Sequence, residues 1–244
     1  MRNPRIYQPF ELDEGNTIEL DADAFGHVIR VLRMSAGDEI TLFNGRSNNE
    51  YAATLENVTK KSASAKIKSV SSVDNESPLN IHLGQAISRG DRMDFTLQKS
   101  VELGVNSITP LFTERCGVKL SAERLEKKRL QWQKIVVSAC EQSGRCIVPE
   151  VKKPEHLEDW LKQETSALKI NLHPRAEHSI ISLPFENQKV RLLIGPEGGL
   201  SDEEIRSATN NGFHNVLLGP RVLRTETAAL TAITALQCRY GDLA

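Results

Sequence analysis

The chain has 244 residues, 39% of them hydrophobic and 26% charged, with a formal net charge of −1, which fits a globular protein with ample material for a buried core and gives no bulk attraction to nucleic acid. The opening residues MRNPRIYQPFELDEG lack the apolar stretch of a secretory leader, and no apolar run approaches the ~20 residues of a membrane span, so a cytoplasmic protein with no membrane partner is expected. Cys116, Cys140, Cys146 and Cys238 form no C-x-x-C pair, and the histidines show no ligand spacing, so reduced thiols and no metal are expected.

Taken in chain order, HVIRVLRM (27–34) has helical spacing, and EITLFNG (39–45), EYAATLENV (50–58) and SASAKIKSV (62–70) read as strands separated by turns. Several short strands in so few residues predict a small β-barrel. The polar stretch SVSSVDNESPLN (69–80) reads as a linker, which places a domain boundary near residue 73, between a domain 1–72 and a domain 73–244.

Beyond it the texture changes. LNIHLGQAIS (79–88) is a buried strand, RMDFTLQKSVELG (92–104) a helix closing on Gly104, and SITPLF (107–112) a strand. SAERLEKKRLQWQKIVVSACEQSG (121–144) is a long amphipathic helix with Leu125, Trp132, Ile135, Val136, Ala139 and Cys140 on one stripe. Then follow a helix (156–164), strands at 168–172 and 189–195, a helix (201–212), a strand (215–219) and a helix (225–240). Strands alternating with helices predict an α/β domain with a mostly parallel sheet covered on both faces. Between Arg115 and Lys134 seven basic residues stand against Glu123 and Glu126, a local excess suited to phosphates.

The chemistry concentrates in the last third. VRLLIGPEGGLSDEE (190–204) is a strand, a glycine-rich turn and a helix start, where Ser201 and Glu204 fit a capping box. Gly195, Gly198 and Gly199 allow backbone to approach a ligand closely. LLGPRVLRTETAAL (217–230) supplies a second strand end, and two such turns at the carboxyl edge of a parallel sheet form two walls of one pocket. The spacing is neither that of a dinucleotide fingerprint nor that of a P-loop, and no nucleophile elbow is present.

IGPEGGL (194–200) together with LGPRVLRTETAAL (218–230) resembles the paired signature of the SPOUT methyltransferases, and more narrowly of the RsmE family. Further matches lie at MRNPRIY, HVIRVLRM, LGQAISRGDRMDFTLQKSVELGV (83–105), TPLFTERCGVKL (109–120) and WQKIVVSACEQSGR (132–145), so the resemblance spans the chain. It implies a PUA-like RNA-binding β-barrel over 1–72 followed by a SPOUT domain over 73–244 with a C-terminal trefoil knot, assembled as a homodimer. It also implies transfer of a methyl group from S-adenosyl-L-methionine to N3 of a uridine in 16S rRNA of the small ribosomal subunit.

On that resemblance the cofactor is expected against Leu172, His173, Ile194, Gly195, Pro196, Glu197, Gly198, Gly199, Leu218, Gly219, Leu223, Arg224, Thr225 and Glu226. Arg224 is expected to stabilise negative charge developing on the uracil oxygens, with Glu226 or Glu197 accepting the N3 proton or orienting the base edge. RNA contacts are expected from Arg2, Arg5, Arg30, Arg33, Arg115, Lys119 and Arg221. Three rivals stay open: an RNA-binding protein without catalysis, an enzyme using the glycine turn as an anion site, and a relative acting on tRNA or on a ribose hydroxyl.

Overall fold

The computed structural model describes residues 3–117, 121–184 and 187–243. The chain forms two compact units, residues 1–76 with 140–148, and residues 77–139 with 149–244. In the first, β1 (Arg5–Tyr7), β2 (Thr17–Glu19), α1 (Ala22–Phe25), a π-helical turn (Gly26–Val31), β3 (Glu39–Phe43), β4 (Asn49–Val58) and β5 (Ala63–Ser72) build a five-stranded sheet in the order β1-β3-β4-β5-β2. The inward residues of β3, β4 and β5, among them Ile40, Leu42, Ala53, Leu55, Ala65 and Ile67, alternate with outward polar ones and enclose a core with Ile6, Phe25 and Val28.

The linker expected at 69–80 is shorter than its composition suggests, because Ser69–Ser72 continue β5 and Asn80 opens the next strand. Backbone pairing with Asn49–Ala52 holds those serines in the ladder, and polar side chains are compatible with it wherever they face outward.

The second unit contains β6 (Asn80–Ala86), α2 (Asp91–Glu102), β7 (Ser107–Phe112), most of α3 (Ala122–Ser143), β8 (Glu150–Val151), β9 (Glu155–His156), α4 (Leu157–Leu161), β10 (Leu168–Leu172), β11 (His178–Ser179), β12 (Lys189–Ile194), α5 (Asp202–Asn210), β13 (His214–Leu217) and α6 (Thr225–Tyr240). Its sheet runs β11-β13-β10-β12-β6-β7-β8, with β9 also on β7, and every pairing in it is parallel. The central strands are buried on both faces, as their continuous apolar runs require. On one side Trp160 fills the space left by Gly84, where a Cβ would lie 2.5 Å from the indole ring. Arg191 stacks 4.0 Å from that ring and donates to the Trp160 and Gln163 carbonyls. The buried alanines of α6, Ala229 and Ala232, accompany its close packing against α2.

Candidate active site

Because β13, β10 and β12 are neighbours and parallel, their carboxyl ends share one edge of the sheet. There they open onto a cavity of about 440 Å³, within the range of small-molecule sites. Leu172, His173, Ile194, Gly195, Pro196, Glu197, Gly198, Gly199, Leu218, Gly219, Leu223 and Thr225 line it, together with Arg115 and Arg221. Arg224 and Glu226 flank Thr225 in sequence and are not among the lining residues. The sequence reading missed Pro174 and Arg175, which follow β10 and obey the same carboxyl-edge rule, and Asp202, Ile205, Val222 and Ala228.

The glycine turn is braced from both sides. Gly199 takes a left-handed φ of 69° and donates to the Pro196 carbonyl at 2.9 Å. Arg115 donates to the carbonyls of Gly198 (3.0 Å) and Leu200 (3.4 Å). The Ser201 and Glu204 capping box forms at the start of α5, and the buried Glu204 carboxylate also accepts from the Glu114 N–H at 2.7 Å, tying the loop after β7 to the helix start. At the start of α6 the Thr225 hydroxyl donates to the Gly195 carbonyl at 2.7 Å.

The titratable groups differ in readiness for proton transfer. Burial opposes ionisation of Glu197, but bonds from its own N–H, from the Arg89 N–H and from the Arg92 guanidinium (3.1 Å) outweigh it and hold the carboxyl below its ordinary value. That depresses its basicity. Glu226 sits in the first turn of α6 with Oε2 buried and without a hydrogen-bond partner among the described residues. Burial, with Arg175 adding and Asp202 opposing, lowers the His173 pKa, and its Nδ1 accepts from the Arg175 N–H at 3.2 Å, so the ring is neutral at pH 7. Burial pushes the Cys140 thiol up to about 12, which leaves it inert.

Among the residues read as RNA contacts, Arg30 in the last turn of the π-helical segment and Arg33 just beyond it are exposed, next to the exposed Val31 and Leu32. Arg5 is a correction. Its side chain is buried, ion-paired with Glu50, bonded to the Arg145 carbonyl and stacked on Phe43, so it neutralises an interior carboxylate and faces no phosphate. Arg2 and Lys119 lie outside the described residues. The basic helix is less charged than its sequence suggests, because Lys127, Lys128 and Arg129 pair with Glu123, Asp94 and Glu126.

A ligand-sized pocket at the carboxyl edge of a parallel sheet, walled by glycine turns, defines an α/β ligand-binding enzyme domain. Residues 75–237 match the model of an RNA methyltransferase domain, and residues 20–68 match an RNA methyltransferase PUA domain. A ribosomal RNA small subunit methyltransferase E from Buchnera aphidicola is 43% identical over 99% of this chain and 98% of its own length. A methyltransferase from Legionella pneumophila, solved in complex with the cofactor SAM, superposes over all of both chains with a TM-score of 0.97 and 50% identity. The ribosomal RNA small subunit methyltransferase E of Neisseria gonorrhoeae, solved bound to S-adenosyl methionine, does so with a TM-score of 0.93 and 42% identity. The chain belongs to the ribosomal RNA small subunit methyltransferase E family of RNA methyltransferases.

Proposed function

We propose that this protein methylates N3 of a uridine in 16S rRNA of the small ribosomal subunit, with S-adenosyl-L-methionine as cofactor. The observation that carries the reading is the cavity itself. Leu172, Ile194, Leu218 and Leu223 offer apolar faces to a flat base, while the turns at Gly195–Gly199 and Gly219 bring backbone close enough to bond its edge. The donor set fits such a cofactor, whose sulfonium supplies an activated methyl group.

The protein's part is to hold donor and acceptor in line and to handle the N3 proton. Arg224, exposed at the N-cap of α6, is assigned to the negative charge that grows on the uracil oxygens as that proton leaves. Glu226, with a carboxylate oxygen unengaged by any described residue, is the better proton acceptor. Glu197, committed to Arg92 and the Arg89 N–H, holds the loop. Arg30 and Arg33 in the first unit, with Arg115 and Arg221 at the cavity, are assigned to the RNA backbone.

The finer architecture belongs to the same proposal. It comprises closure of the first sheet into a PUA-like barrel over 1–72, a trefoil knot within 73–244, a homodimer and a cytoplasmic setting. Support for the knot is the sheet order, in which β13 inserts between β10 and β11.

The test is incubation of the protein with isotopically labelled cofactor and small subunits, followed by mass mapping of the modified nucleotide. Label at N3 of one uridine is expected, and label on a ribose or on tRNA overturns the assignment. Arg224→Ala is expected to lower kcat by roughly 100-fold with saturating RNA. Unchanged turnover removes Arg224 from the mechanism.

A further inference from the structure

Three chain segments distant in sequence meet beside the cavity-lining residues Gly195 and Thr225: the end of β6 at Gln85, Gly195 just beyond β12, and the first residue of α6, Thr225. A continuous chain of hydrogen bonds joins them. Gln85 Nε2 donates to Thr225 Oγ1 at 3.0 Å, and Thr225 Oγ1 donates to the Gly195 carbonyl at 2.7 Å. Proton accounting fixes every direction. A hydroxyl has one hydrogen, and Gly195 takes it, so the face of Thr225 Oγ1 toward Gln85 presents a lone pair and requires a donor. The Gln85 amide must therefore point its nitrogen at Thr225, an orientation that also lets Nε2 donate to the Ala86 carbonyl at 3.1 Å.

The arrangement is costly by itself. Gln85 is fully buried, and its carbonyl oxygen has no hydrogen-bond partner among the described residues. A buried acceptor in that state destabilises a fold, and an apolar side chain of equal volume avoids the cost. What the glutamine uniquely supplies is the donor that orients the Thr225 hydroxyl. That hydroxyl in turn holds the Gly195 carbonyl, and both Gly195 and Thr225 line the cavity.

We propose that Gln85, itself outside the cavity lining, is a positioning residue for the cofactor site, acting through the Thr225 hydroxyl to set the orientation of the Gly195 peptide and of the first turn of α6. This rests on the cofactor reading above. Arg224 and Glu226 flank Thr225, so the same relay fixes where the two residues assigned to the chemistry begin.

The experiment measures S-adenosylmethionine affinity by titration calorimetry, thermal unfolding, and kcat and KM on small subunits. The variants are Gln85→Met, Thr225→Val, Thr225→Ser and the double Gln85→Met with Thr225→Val. Gln85→Met is expected to weaken cofactor binding roughly tenfold with only a small change in melting temperature, because it removes the unpaired Oε1 together with the donor to Thr225 and Ala86. The double variant is expected to bind no worse than Thr225→Val alone, since both changes cut one chain of bonds. Thr225→Ser, which keeps the hydroxyl, is expected to bind like the parent. Unchanged affinity in Gln85→Met overturns the proposal, as do independent, additive losses in the double variant. Should Gln85→Met fail to fold, equal weakness of the Thr225→Ser and Thr225→Val proteins overturns it. A parent protein that binds no S-adenosylmethionine defeats the functional reading instead.

Discussion

In the first unit, the segment Arg30–Arg33 stands in solvent, with Val31 66% exposed and Arg33 at a φ of 57° that a residue bearing a Cβ seldom adopts. Backbone bonds from Leu32 to the His27 carbonyl and from Met34 to the Val28 carbonyl hold it in place, with the Arg30 guanidinium 5.6 Å from the Phe25 ring. In the second unit, the loops at the carboxyl edge of the sheet are held by side chains, many of them buried: Thr225 on Gly195, Glu204 on Glu114 and Ser201, Arg115 on Gly198. The contrast fits the two tasks proposed above. A surface that grips a long polyanion gains from exposed cations and tolerates local strain, whereas a pocket for one small molecule needs its backbone fixed to fractions of an ångström.

The largest expected effect tests how tightly the second unit is packed behind its pocket. Gly84→Ala places a methyl group 2.5 Å from the Trp160 ring, which is fully buried. Overpacking of this kind is expected to cost about 3 kcal/mol in denaturant unfolding. A loss below about 0.5 kcal/mol means that the layer beneath the sheet is softer than the contrast implies.

A second test uses protons. Burial, with Lys152 and Arg191 adding to it, lowers the His82 pKa to about 3, while Nε2 shares a 2.7 Å hydrogen bond with Thr109 Oγ1. A lowered folded-state value means that the unfolded chain takes up the proton first. Stability is therefore complete above the ordinary histidine value of about 6.5 and falls as pH drops toward 3. Replacing His82 with Asn is expected to flatten the stability profile across that window by roughly 2 kcal/mol at pH 4.5. An unaltered slope places the acid sensitivity elsewhere.

The smallest effect belongs to the exposed segment. Arg30→Ala with Arg33→Ala is expected to weaken RNA binding by about tenfold and to reduce its salt slope by about 2, with cofactor affinity unchanged. Equal slopes for variant and parent erase the distinction drawn between the two regions.

Much of the architecture was legible because its signals are local. Alternation marked β3, β4 and β5, the capping pair Ser201 and Glu204 marked the start of α5, and the two glycine turns marked the cavity walls. The hidden parts arise from partners distant in sequence. β1, β2, β8, β9 and β11 are two or three residues long, too short for a period, and exist because a neighbouring strand supplies their hydrogen bonds. Arg5 reads as a free cation until Glu50 is brought beside it. Arg175 and Asp202 enter the site only when β10 and β12 lie side by side. Gln85 lies in a stretch that carries the family resemblance, but nothing local marks the role proposed for it, which depends on a threonine 140 positions away.

The first unit draws on two separate stretches, 1–76 and 140–148, and among the interactions that join them is an ion pair, Glu76 with the buried Arg145, at 2.5 Å. Cutting the gene after codon 76 therefore strands a carboxylate without its guanidinium and strips Arg5 of the Arg145 carbonyl. This module cannot be shuffled between proteins by a single recombination event. Inheritance of an intact copy requires two crossovers, which binds the first unit and the second to a common evolutionary fate.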